Sequence, residues 1–240
     1  MTWVESSAHV FSLRTAPLHP SCFSIHGDIQ PSLWNHTEMD VGADMLHIEK
    51  GFWSRGYSLV AGTDEVGRGC LAGPVVAAAV ILPPEKEIKG VTDSKALSPV
   101  RRQKFFSVIR SQALAYSIVE VSPQEIDKIN ILQASLKAMT QALYSLKVRP
   151  DIVLIDGNQL LNIDIEQLAV VKGDARSQSI AAASILAKVH RDNLMEALDQ
   201  KYPLYNFARN KGYGTAEHRH ALKKYGPCPV HRKTFKGVQI

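Results

Sequence analysis

Apolar residues along the chain follow two rhythms. Short runs of β-branched, aromatic or small apolar residues over 57–63, 75–82, 115–121, 151–155 and 167–171 predict five strands. Between them the spacing lengthens to three and four. Ser98 before Pro99 is an N-cap with proline at the first helical position and opens a helix over 100–112; Ser122, Pro123 and Glu125 repeat the device with a capping-box acid. Behind that second cap, Ile126, Ile129, Leu132, Leu136, Met139, Leu143 and Leu146 predict one continuous helix with one buried face. A further helix over about 177–201 begins with alanines, which permit close approach to a sheet. Strands joined by short turns run antiparallel and those joined by helices run parallel. The order β, β, helix, β, helix, β, β, helix therefore predicts an α/β sandwich with a mixed five-stranded sheet.

Residues 1–56 lack this rhythm. Serine, histidine and proline are frequent there and apolar periodicity is poor, so the segment is expected to be a poorly ordered N-terminal extension ahead of one domain over 57–240. The first basic residue is Arg14 and no clean apolar run follows it, unlike a secretory signal; Glu5 and Asp28 are out of place in a transit peptide. Met39 and Met45 are alternative starts. His19, Cys22 and His26 match no standard zinc spacing and are read as unstructured polar residues.

Composition narrows the class. The chain has 240 residues, 45% of them hydrophobic, enough for one medium domain with a sizeable core. Its net charge of +5 suits a polyanionic partner. Three cysteines, Cys22, Cys70 and Cys228, make neither an even disulfide set nor a zinc pair, which points to a reducing, cytoplasmic setting. No apolar run reaches the roughly 20 residues of a membrane span. With no unexplained apolar stripe, a monomer is expected.

Candidate chemistry sits where polar residues meet glycines at element ends. Asp64 and Glu65 end the first predicted strand and precede Gly67, Arg68 and Gly69. Adjacent side chains on a strand point to opposite faces, so these two acids are expected to share a site by leaving strand geometry. Asp156 ends the fourth predicted strand, in an Asp-Gly-Asn turn, and Asp174 precedes the last long helix, where capping by the helix dipole is a fair competing role. Four converging carboxylates repel one another unless cations neutralise them. An all-oxygen set favours Mg²⁺ or Mn²⁺, and a pair of such ions serves phosphodiester cleavage. Arg68 brings a guanidinium and bare glycine backbone to the edge of this site, suited to a sugar 2′-hydroxyl. Tyr213, in Lys211-Gly212-Tyr213, can stack on a sugar or base or be a partly buried loop tyrosine. Residues 95, 101, 102, 104 and 110 form a basic face, usually a solvated one. Asp192 is expected to be structural, on the face of Asp174 or paired with Arg191.

From about Leu59 to Phe235 these segments resemble bacterial ribonuclease HII, the type 2 ribonuclease H. They comprise Asp64 to Gly69 with Leu71 to Val76, Asp93-Ser94-Lys95, Ile155 to Asn158, Lys172-Gly173-Asp174, Ala181 to Val189, Lys211-Gly212-Tyr213 and His231-Arg232. The resemblance implies a ribonuclease H-like fold with a C-terminal helical region. It also implies metal-dependent hydrolysis of the RNA strand of RNA–DNA hybrids and incision 5′ of ribonucleotides embedded in duplex DNA, leaving 3′-hydroxyl and 5′-phosphate ends. Carried over by motif, Asp64, Glu65, Asp156 and Asp174 are the catalytic, metal-binding acids. Gly67, Arg68 and Gly69 read the 2′-hydroxyl, Tyr213 packs on the neighbouring deoxyribose and Lys95 touches the backbone. The extension departs from the family pattern, and no clamp-binding tail is expected after Phe235. Arg68 between the glycines separates the chain from the related ribonuclease HIII, which usually carries lysine there. Two rival readings remain: a DNA nuclease of similar fold, and a non-catalytic binder of nucleic acid in which the acids cap helices or form ion pairs.

Overall fold

The computed structural model describes residues 44–238. The candidate ligands His19, Cys22 and His26, and Met39, lie outside them. The sheet has the order β3-β2-β1-β4-β5, built from β1 (Val60–Val66), β2 (Val75–Ile81), β3 (Ala115–Val121), β4 (Ile152–Asp156) and β5 (Glu166–Val170). β2 pairs antiparallel with both β1 and β3, whereas β4 joins β1, and β5 joins β4, in parallel. The sheet is mixed and five-stranded as expected, but two pairs break the rule that predicted it. β2 and β3, joined through the Pro99–Gln112 helix, run antiparallel, and β4 and β5, joined by a loop without a helix, run parallel, because the type of connection alone does not set strand direction.

β2 is apolar throughout because both its faces are covered. Val75, Ala77, Ala79 and Ile81 pack in one cluster with α4 (Ile131–Tyr144). Val76, Ala78 and Val80 pack in another with α2 (Pro99–Gln112) and α5 (Gln178–Lys201). The alanines at 181, 182, 183 and 187 are fully buried, as a helix lying close to a sheet requires. Phe207, Tyr205 and Leu222 anchor a smaller core beneath α6 (Phe207–Asn210) and α7 (Ala216–Tyr225).

Three further expectations are corrected. The helix expected to run unbroken from Ser122 is two helices, α3 (Pro123–Ile129) and α4, separated at Asn130. Asn130 takes φ 67° and its side chain accepts from the Gln133 amide, so it ends one helix while capping the next. The break turns the apolar stripe: Leu132 is 38% exposed, and Ala134, Ala138 and Ala142 face the sheet in its place. The folded part also begins before residue 57. Helix α1 (His47–Trp53) buries Ile48 and Phe52 against Val60, Ile152, Leu154 and Ile180. Three apolar positions, Ile48, Phe52 and Trp53, among polar neighbours are too few to register as a period. Finally, β1 reaches Val66 rather than stopping at Thr63, so Asp64 and Glu65 stay in strand geometry.

Candidate active site

Strand register brings the first two acids together. Thr63 lies beside Ile155, so the next residues, Asp64 and Asp156, are neighbours at the carboxyl ends of parallel strands. Asp64 pairs with Ala78, whose side chain belongs to the α5 face. Asp156 follows Leu154 by two residues, and Leu154 packs with Ile180 of α5, so both carboxyl groups share that face. Glu65, opposite Ala77, belongs to the other face by strand alternation. Its carboxylate accepts from Arg68 Nη1 at 3.1 Å, and its amide donates to Asp64 Oδ1 at 2.7 Å.

Asp174 arrives from across a turn. Lys172 takes a left-handed conformation (φ 55°, ψ 43°) that opens the 3-10 turn Gly173–Ala175. The Gly173 amide donates to Asp156 Oδ1 at 2.7 Å, which fastens this turn to the end of β4. α5 begins immediately beyond, packed so closely on β1 that a Cβ at Gly62 would lie 2.1 Å from the Ser179 carbonyl carbon. Its first turn is held from below by Glu49 of α1, fully buried, whose Oε1 accepts from Ser177 Oγ at 2.7 Å and from the Ser179 amide at 2.9 Å. Burial pushes the Glu49 carboxyl up.

Burial, then Glu65 and Asp156, raise the Asp64 carboxyl well above its usual range, against the Ser184 hydroxyl and the Glu65 amide. Glu65 is raised by burial and by Asp156, with Arg68 opposing. Asp174 is raised by burial and by Asp156 and Asp93. Lys95 Nζ stands 3.6 Å from Asp174 Oδ2 on a side chain that is 82% exposed. Burial works against its charge, but Asp174, Asp93 and Asp64 together raise its pKa. Ser94 bonds Ser184 at 2.9 Å, linking the Asp93–Lys95 loop to the α5 residue beside Asp64. Among the described residues no three His, Cys, Asp or Glu side chains form a closed ligand set. The acids share a field, not a finished cage. Clustered oxygen donors, with Asp64, Glu65 and Asp174 pushed toward the neutral form by burial and neighbouring charge, are the donor set that hard divalent cations suit.

Beside the acids lies a two-loop surface. Gly67 has φ 94°, and a Cβ there would meet Arg191 Nε at 2.3 Å. Arg68 and Gly69 are exposed, and among the described residues their amides bond to no protein group. The second loop meets the first through a β-bridge between Cys70 and Tyr213 and a 2.8 Å bond from the Leu71 amide to Gly212 O. Tyr213 is 43% exposed.

Patterns in the sequence did not reveal the supports of these loops. Arg191 and Arg232 are fully buried. Arg191 donates to Pro74 O, Ala72 O and Lys211 O, and Arg232 to Gly73 O, Arg68 O and Gly67 O. Asp192 pairs with Lys188 at 2.8 Å, not with Arg191. Of the basic face, Arg102 is spent on Ser94 O and Leu97 O, and Arg110 on Tyr116. Only an arginine inside an alanine-rich helix, and one after His231, hinted at these supports.

Below Tyr213 sits a buried imidazole pair. His218 Nδ1 donates to Tyr213 O at 2.9 Å, leaving Nε2 to accept from His231 Nε2–H at 2.9 Å; His231 Nδ1 then accepts from the Cys228 amide at 2.9 Å. Both rings are neutral in this chain of bonds.

Acids at the carboxyl ends of central parallel strands, joined to an arginine–glycine loop on a five-stranded mixed sheet, define a hydrolase of the ribonuclease H-like fold. The family model described as Ribonuclease HII matches residues 61–238. A ribonuclease HII of Acetivibrio thermocellus is 54% identical over 198 residues, 82% of this chain and 77% of that protein. One from Syntrophobacter fumaroxidans is 55% identical over 196 residues, covering 82% and 84%. The crystal structure of ribonuclease H2 from Pyrococcus horikoshii OT3 superposes with a TM-score of 0.66 at 32% identity, over 75% of this chain and 95% of that one. The chain belongs to the ribonuclease HII family. It is a ribonuclease H, a hydrolase of the RNA strand of RNA–DNA hybrids, in a family that is dependent on divalent metal.

Proposed function

We propose that this enzyme also incises duplex DNA on the 5′ side of a single embedded ribonucleotide, leaving 3′-hydroxyl and 5′-phosphate ends. Asp64, Glu65, Asp156 and Asp174 would hold two ions, Mg²⁺ or Mn²⁺, which when bound would supply activation of the attacking water and stabilisation of the leaving oxygen. The chain's own residues select and place the substrate. Arg232 takes the carbonyls of Gly67 and Arg68, so the loop meets the ribose with its amides, and the 2′-hydroxyl oxygen accepts from them. Arg68, tethered to Glu65, supplies a guanidinium for the adjacent phosphate. Tyr213 packs on the deoxyribose at the DNA side of the junction, and Lys95 meets the backbone.

The observation that carries this reading is Gly69. Its φ is outside the left-handed region and a Cβ there would meet nothing within 4 Å, so the protein's own packing gives no reason for glycine. A ligand that comes close to bare backbone does. The test is cleavage of a labelled DNA duplex with one ribonucleotide, in Mg²⁺, in Mn²⁺ and with chelator, beside an all-DNA control. A metal-dependent cut 5′ of the ribonucleotide, absent from the control, is expected. Cleavage of a uniform hybrid without cleavage of this duplex would overturn the reading.

A further inference from the structure

We propose that Arg191 and Arg232 are positioning residues that set discrimination for a single ribonucleotide, by holding the Gly67–Gly69 and Lys211–Tyr213 loops as one rigid platform. The inference rests on the junction reading above.

Neither guanidinium has a carboxylate within salt-bridge distance among the described residues, although both are fully buried. Replacing buried charges by apolar groups of similar volume is often neutral or stabilising, so packing alone does not call for two arginines here. What an apolar side chain lacks is donors in a fixed fork. Six carbonyls are turned inward by these forks, and they come from both loops and from the segment between them. Arg232 reaches Gly67 O at 2.7 Å, Arg68 O at 2.9 Å and Gly73 O at 3.0 Å. Arg191 reaches Lys211 O at 2.8 Å and both Ala72 O and Pro74 O at 3.1 Å. The glycines seat the loops on this frame: a Cβ at Gly212 would lie 2.5 Å from Ala72 O, and one at Gly73 3.3 Å from Arg191 Nη2. Burial draws the Arg232 pKa down to about 10, which leaves it charged at neutral pH.

Rigidity matters unequally for the two substrates. A uniform hybrid offers a 2′-hydroxyl at every step of the RNA strand, so a displaced loop finds another register. One ribonucleotide allows a single register. A hydrogen-bond reader rejects a mismatched sugar strongly only when its donors cannot shift to other partners.

The experiment compares wild type with Arg232→Lys and Arg191→Lys, and with Arg232→Met as the apolar isostere. Rates (kcat/KM) are measured on the single-ribonucleotide duplex and on the uniform hybrid. Backbone hydrogen exchange of 67–73, 211–214 and 152–156 is measured on the same proteins without substrate. Expected are a loss on the single-ribonucleotide duplex at least about tenfold greater than on the hybrid, and faster exchange in the two loop segments with 152–156 unchanged. Equal losses on both substrates, or unchanged loop exchange, would overturn the proposal. If wild type cuts only the hybrid, the junction reading falls; the exchange data still decide whether the arginines hold the loops, and that result would confine them to a role in stability.

Discussion

The Gly173 amide donates to Asp156 Oδ1 at 2.7 Å, joining the end of β4 to the turn that carries Asp174. One hydrogen bond thus sets the spacing of two acids that are 18 residues apart. It also separates two consequences of changing Asp156, the loss of charge and the loss of shape.

Asp156→Asn keeps an acceptor oxygen for Gly173 and removes a ligand charge. Cleavage is expected to fall at least about a hundredfold while duplex affinity holds within roughly threefold. Single-turnover rates and fluorescence anisotropy with a labelled duplex check this, and an equal loss of affinity would contradict it.

Gly69→Ala and Gly62→Ala should behave as opposites. At Gly69 a Cβ meets open space, so stability should stay within about 0.5 kcal/mol while kcat/KM on the single-ribonucleotide duplex falls by about tenfold or more. At Gly62 a Cβ would strike the Ser179 backbone at 2.1 Å, and about 3 kcal/mol or more of stability should be lost. Denaturant unfolding beside cleavage assays distinguishes them.

The imidazole pair makes stability fall in acid. His231 is drawn from 6.5 to about 4, by burial first and then by His218. A protonated Nδ1 would set an N–H against the Cys228 N–H. The folded state therefore binds fewer protons than the unfolded chain between those values. Stability is present in full above pH 6.5 and is lost as pH falls toward 4. About 2 kcal/mol should disappear between pH 7.5 and pH 5. Because the raised carboxyls of Glu49 and Asp64 act in the opposite sense, the difference between wild type and His231→Gln in denaturant midpoints at the two pH values measures it, and the variant should lose less on acidification.

Glu49→Gln should be tolerated and Glu49→Ala should not. The acceptor Oε1 survives in glutamine. Alanine leaves Ser177 Oγ and the Ser179 amide buried without it, at about 1–3 kcal/mol. Because the Ser177 amide also bonds Gly173 O at 2.8 Å, the alanine variant should lose activity along with thermal stability.

Short-range physics explains what was legible along the chain. Strand positions and the caps at Ser98 and Ser122 follow from β-branched runs and N-cap hydroxyls, all local features, whereas the strand directions of the β2–β3 and β4–β5 pairs did not follow from their connections. Asn130 misled because a stripe of leucines and isoleucines continues across it, while its positive φ is a backbone event that no periodicity records. α1 was hidden for the opposite reason: its few buried residues are ordinary until Val60, Ile152 and Ile180 surround them. Glycine–acid pairing marked Asp64, Glu65, Asp156 and Asp174, because close backbone and concentrated charge leave a compositional trace.

By itself the sequence determined the layer architecture and the family, and it marked the acids and the glycine–arginine loop as candidates. Only the tertiary structure decided that Asp64 and Asp156 are register neighbours on one face, that Glu49 caps the helix behind Asp174, and that Arg191 and Arg232 carry the loops. These last are matters of which distant groups meet. A buried arginine facing six carbonyls and a solvated arginine on a helix are the same letter. Their difference arises only when the chain closes around them and burial leaves their donors no other partners.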